Sequence, residues 1–143
     1  MKTTAMFLFI IFSGLTALHA EDLGNLSANL FGFDSTANQF GAGSPFAPDG
    51  INNPYSLYGS PFSNQSATNP LATDAPRLYD QSGNYRGKLS TNPFYPDSTS
   101  NQFGRYGSPF SPDSLNNPYG AGSPFNADSP NNPYGSGWRI EGR

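Results

Sequence analysis

Five aspartates have a type and spacing that could do chemistry: Asp34, Asp49, Asp97, Asp113 and Asp128, each with an asparagine four residues further on. Carboxylate and amide oxygens are the hard ligands that Ca²⁺ favours. Each unit offers a single carboxylate, however, and no loop carries acids at alternate positions. The spacing therefore favours turn caps over calcium sites. A glycosidase needs two carboxylates across one bond, whereas these recur singly beside turn residues. The only histidine, His19, lies at the end of the N-terminal apolar run, and the chain has no cysteine. Without them the usual general base, thiol nucleophile and transition-metal ligands are missing from the rest of the chain. The residues read as those of a non-enzyme with no cofactor.

A second set of candidates is aromatic. Phe46, Phe62, Phe110 and Phe125, with Tyr55, Tyr119 and Tyr134, recur at fixed places. Rings of this kind either form a core or stack on sugars and on each other. Aliphatics are scarce and valine is absent, so the rings are expected to be the core material.

These residues sit in a chain that is written twice. Asp22 to Leu71 reappears as Tyr85 to Tyr134 at an offset of 63, which widens by one at Arg105-Tyr106 and returns at Ser123. About 29 of the 50 paired positions are identical. Within each copy the anchor is Asn, one variable residue, then an aromatic. It occurs at Asn29, Asn38, Asn53, Asn69, Asn92, Asn101, Asn117 and Asn132. Successive anchors step by 9, 15 and 16 residues in the first copy and by 9, 16 and 15 in the second. Such regular steps point to a structural rung. In Ser111-Pro112-Asp113-Ser114 the proline fixes φ, and the carboxylate is expected to accept from N–H groups two or three residues on. Gln39 and Gln102 replace proline in this pattern, Gln65 replaces Asp, and Leu71 replaces the aromatic.

The conventional element is a hairpin over residues 77–90. Arg77-Leu78-Tyr79-Asp80 and Tyr85 to Ser90 flank Gln81-Ser82-Gly83-Asn84. Alternation puts Leu78, Tyr85 and Leu89 on one face, with Arg86 and Lys88 on the other. Asp22 to Ser27 matches only the second strand of this hairpin, so the first copy lacks a counterpart for the partner strand. No stretch after residue 20 has the apolar spacing of a helix. The expected fold is a mostly irregular, turn-rich repeat chain with short β segments, small all-β at most, without long helices after the signal peptide and with partial disorder. Its parts are a signal peptide (1–20), repeat copy 1 (22–71), a connector with the first hairpin strand (72–84), repeat copy 2 (85–134) and a C-terminal tail (135–143).

Residues 1–20 read as a secretory signal: Lys2 supplies the positive start, Ala5 to Leu18 the apolar run, and Ala20 or Ala17 the small residue at the cut. The run is too short to span a bilayer, so no membrane span is expected in the mature chain. Beyond it stand six basic residues against ten acidic ones, a balance that speaks against nucleic acid. An exported protein without disulfides must be held by packing or by a partner. Asn25-Leu26-Ser27 and Asn64-Gln65-Ser66 fit the glycosylation acceptor pattern, which matters only in a eukaryotic secretory host.

The run from Tyr79 to Ser90, followed by repeated Ser-Pro-Asp-Ser and Asn-Asn-Pro-Tyr-Gly, resembles uncharacterised exported bacterial proteins with Asn-Pro-Tyr-Gly repeats. The resemblance covers most of the mature chain and implies export, with no particular activity. The Tyr-Asp and Gly-Asn string, in one occurrence, is also similar to the strand-turn unit of Rhs-type shell repeats. The expected function is a structural or interaction role at the cell envelope or outside the cell, periplasmic or extracellular, with self-association or a surface glycan as candidate partners. The alternative is a glycan- or calcium-binding module built on the rings and the Asp/Asn turns.

Overall fold

The computed structural model describes residues 20–143. Among them there is no helix, and the regular structure is one small antiparallel sheet of four strands. The proposed signal segment lies outside the described residues except for Ala20.

Strands β1 (Glu21–Leu26), β2 (Arg77–Tyr79), β3 (Tyr85–Lys88) and β4 (Trp138–Gly142) lie in the order β1-β4-β2-β3. The hairpin at residues 77–90 is formed by β2 and β3. Its connection is organised by Asp80, whose Oδ1 accepts from the N–H groups of Ser82 and Asn84 at 3.0 and 2.9 Å. Gly83 supplies the positive φ that this turn needs.

The segment read as a C-terminal tail carries β4, a central strand. Trp138 and Ile140 alternate with Arg139 and Glu141, and both apolar side chains are fully buried. β4 pairs with β2 through Leu78 and Ile140 and with β1 through Leu26 and Trp138. The partner strand that the first copy lacks locally thus comes from the far end of the chain. Leu23, Ile51, Tyr58, Leu78, Trp138 and Ile140 form the core, with Leu26, Leu89, Leu115 and Ala121 packed against it. Burying such side chains contributes about 1.5–3 kcal/mol each.

The facing of β3 differs from simple alternation. Tyr85 stands opposite Tyr79, and Lys88 opposite Arg77, so three steps on β3 match two on β2. The extra residue falls at a bulge where Gly87 has φ +93°. Tyr85 and Lys88 therefore share a face, and Arg86 moves to the Leu78 side, its guanidinium 5.5 Å from the Trp138 ring. β1 shifts register against β4 in the same way around Gly24, at φ +90°. A Cβ on Gly24 would lie 2.6 Å from the Asp34 carbonyl, and one on Gly87 2.7 Å from that of Asp97. Both edge strands are closed by backbone bonds at the same offset: Asn25 to Asp34 and Thr36, Lys88 to Asp97 and Thr99. An edge so occupied is not free to recruit another strand.

Between the strands the backbone runs as a chain of three-residue turns. From Ser98 to Gly104, and again from Ser108 to Gly135, every third N–H donates to the carbonyl three residues earlier. The first half does the same from Ser35 to Ser56 and from Ser60 to Ser66. Ser and Asn suit the first position of such a turn, and proline suits the second. This explains Ser-Pro-Phe and Asn-Pro-Tyr. Steps of 9 and 15 are multiples of three. Each step of 16 contains one turn wider by a residue, Ser56 to Ser60 and Gly104 to Ser108.

Candidate functional site

All eight anchor asparagines act on the same atom. The Oδ1 of each accepts the N–H two residues on, at 2.9–3.0 Å. Six of them, Asn38, Asn53, Asn69, Asn101, Asn117 and Asn132, also donate through Nδ2 to the carbonyl six residues back. Serines do the capping in the other triplets, as Ser108 does for Phe110 and Ser123 for Phe125. The expectation that the repeat aspartates are the caps is corrected. They occupy the third position of the triplet, where the side chain points away from the turn, and Ser111 rather than Asp113 caps that turn.

The sequence reading also missed the asparagine before the anchor. Asn52, Asn116 and Asn131 each donate to two carbonyls, one 9 residues earlier and one 16 or 17 residues earlier. These amides tie one round of turns to the next. The Asn-Asn pair was the available signal: one amide caps and its neighbour cross-links.

The repeat rings expected to form the core do not. All nine phenylalanines among the described residues are exposed, at 77% to 97% of their surface, and so are Tyr55, Tyr119 and Tyr134. The interior of the turn coil is filled instead by serines. Ser66, Ser98, Ser114 and Ser129 have no accessible surface. Each directs its hydroxyl oxygen at the N–H two residues on. Other turns place an asparagine at the same first position, buried in the case of Asn117, while the rings at third positions lie outward.

The five aspartates go to different places. Asp113 lies between two guanidiniums, with Arg105 Nε 2.8 Å from one oxygen and Arg86 Nη1 3.1 Å from the other. The Arg105 hydrogen bond, assisted by both arginine charges, holds the Asp113 carboxyl below the usual range against the opposing effect of burial. Asp97 accepts from the Tyr85 hydroxyl at 2.5 Å. Burial, then that carboxylate, pushes the Tyr85 phenol well above its ordinary value. The Tyr85 and Tyr106 rings meet edge to face at 5.4 Å. Asp34 and Asp49 line a surface groove of about 450 Å³ with Asp22, Leu23, Phe33, Phe40, Ala42 and Pro48. Among the described residues no basic side chain pairs with Asp34, Asp49 or Asp128. Nor do three acidic groups converge there as a metal ion requires.

Comparison with protein-family models, curated proteins and solved structures found no match to this chain. Its own geometry offers fixed turns, outward rings, and one cluster of charged and phenolic groups whose first-half counterpart holds carboxylates without basic partners among the described residues. No helix among the described residues is long and apolar enough to cross a membrane.

Proposed function

We propose that this chain is an exported, non-enzymatic repeat protein with a structural or interaction role at the cell envelope or outside the cell, and that the outward rings are its working surface. The observation that carries this reading is the exposure of every described phenylalanine, all but Phe33 of them standing third in their triplets. Twelve exposed rings give far more apolar surface than scattered exposure on a soluble protein. The backbone N–H groups of all but Phe33 are held by Ser or Asn caps, so those rings are presented with little ordering left to do on contact. Export rests on the apolar run from Ala5 to Leu18 after Lys2. The surplus of acidic residues argues against nucleic acid.

The alternative, a surface-glycan module, draws on the same rings, since exposed Tyr55, Tyr119 and Tyr134 offer faces on which sugars stack. Calcium has less support, because among the described residues no three acidic groups come together closely enough to hold a metal ion. The test is a triple variant, Phe110→Ala, Tyr119→Ala and Phe125→Ala, followed by sedimentation and thermal melting. Self-association should fall while stability changes by no more than about 0.5 kcal/mol per site, the usual range for surface substitutions. Unchanged association without glycan, with loss of polysaccharide binding instead, would select the glycan reading. Loss of the folded state would show that the rings are structural after all.

A further inference from the structure

The groove of the first half corresponds to a place that the second half lines with phenol and guanidinium side chains, leaving a smaller groove of about 360 Å³ among Tyr85, Arg86, Arg105, Tyr106 and Asp113. Asp22 stands where the second half has Tyr85, Leu23 where it has Arg86, and Ala42 where it has Tyr106, while nothing corresponds to Arg105. The correspondence is geometric as well: a Cβ on Gly24 would meet Ala42 at 2.6 Å, and one on Gly87 would meet Tyr106 at the same distance. Two carboxylates are unchanged between the halves. Asp34 answers to Asp97 and Asp49 to Asp113. In the second half the first accepts a phenol hydrogen and the second accepts from two guanidiniums. In the first half both line an open groove with an additional carboxylate, Asp22.

We infer that this groove docks a segment of a partner polypeptide that presents an arginine beside a tyrosine. The tyrosine ring lies over Ala42, in the space that Tyr106 and Tyr85 occupy in the other half, and its hydroxyl donates to Asp34. The guanidinium meets Asp49. The sign of the groove selects a cation, because its three carboxylates have no basic partner among the described residues. A volume of about 450 Å³ suffices for two such side chains. A polypeptide is favoured over a free aromatic amine because the internal counterpart is itself partly a dipeptide, Arg105-Tyr106. This proposal does not rest on the ring surface described above.

The test is calorimetric titration of the full chain with the end-blocked tetrapeptide Gly-Arg-Tyr-Gly. Saturable binding is expected, weakened tenfold or more by Asp49→Asn and by Asp34→Asn, and abolished by Ala42→Tyr, which supplies the second half's ring to the groove. The two carboxylate substitutions lie on exposed side chains, so they report on binding even where Ala42→Tyr disturbs folding. Phe110→Ala should leave the affinity unchanged. No binding at millimolar peptide would overturn the proposal, as would full affinity in Asp49→Asn or equal affinity for free tyramine.

Discussion

Residues 21–79 and 85–142 run through the same sequence of bulge, edge bond and triplet turns, yet their corresponding surfaces are settled in opposite ways. In the second half the carboxylates Asp97 and Asp113 are engaged by Tyr85, Arg86 and Arg105. In the first half their counterparts Asp34 and Asp49 face an open groove. The backbone hydrogen bonds that create the place are the same: Asn25 to Asp34 and Lys88 to Asp97, at 2.6 and 2.7 Å. The difference teaches that the turn scaffold is indifferent to what fills the site beside the bulge. One tyrosine and two arginines engage its carboxylates in the second half, where the groove shrinks to about 360 Å³, and an aspartate, a leucine and an alanine at the corresponding places leave about 450 Å³ in the first. The scaffold resides in Ser, Asn and Gly at the triplet heads, and the surface chemistry resides in the residues between them.

The most severe way to break the comparison is to remove what the halves share. Ile140→Ala empties a fully buried position on the central strand β4. It should cost about 2–5 kcal/mol. Hydrogen exchange should speed up in β1 as well as in β2 and β3, because β4 pairs with the first half directly. A loss of protection confined to residues 85–142 would mean that the halves are not closed on one another.

An intermediate effect should fall on the second half alone. Asp80 is buried and accepts from Asn84 and from two nitrogens of Arg86, the guanidinium that also reaches Asp113. Burial works against the Asp80 charge, but the Asn84 bonds and then Arg86 outweigh it, so its carboxyl titrates below the ordinary range. Folded-state values depressed in this way at Asp80 and Asp113 supply stability that is complete above the unfolded carboxylate range near pH 4. That stability is lost as the pH falls through the lower folded values. Acid should therefore loosen the Tyr85–Asp113 region, seen in the Tyr85 and Tyr106 ring resonances. Asp80→Asn should reproduce part of the loss at neutral pH, about 1–3 kcal/mol. Acid loosening that Asp80→Asn leaves unchanged would assign the titration elsewhere.

The smallest expected effect sharpens the view of the first half. Gln65 stands where the repeat pattern has Asp, and pattern alone suggests that Gln65→Asp is neutral or slightly stabilising. The Gln65 Nε2 in fact donates to the Arg143 carbonyl at 2.8 Å. An aspartate lacks that donor and would set its own negative charge against that carbonyl oxygen. A loss of up to about 0.5 kcal/mol is expected in urea melts at low salt. A gain would restore the pattern-based expectation.

Much of the frame was legible. The lack of helical spacing and the short β segments follow from Pro, Gly and Asn punctuation, and the hairpin follows from the apolar-polar pattern around Gly83. The eight anchors were visible as positions, but their common divisor was not read. Steps of 9 and 15 share a factor of three, and one inserted residue at Gly59 and at Gly107 disguised it. The rings were assigned to a core because the chain has few aliphatics. Composition does not reveal that serine hydroxyls, once given to neighbouring N–H groups, can be buried beside a small core of Leu23, Ile51, Tyr58, Leu78, Trp138 and Ile140. β4 escaped because its five residues resemble a tail, although Trp138 and Ile140 alternate as strand residues do. The groove could not be read at all. It is defined by residues that are absent relative to the other half, and only the paired geometry at Gly24 and Gly87 gives that absence a place.

The arrangement of strands also fixes an order of events in time. β2 and β3 are joined by a short turn and can zip as soon as both exist, within the microseconds typical of hairpins. The pairing of β1 with β4 brings together residues such as Asn25 and Ser136, which are 111 apart and share a hydrogen bond. Closing so long a loop costs more chain entropy and comes later. A chain being synthesised from its N-terminus therefore carries an unfinished first half until its last strand has emerged. Residues 20–79 spend that interval with one side of Leu23 and Ile51 uncovered, and the strand that completes the second half is the one that covers them.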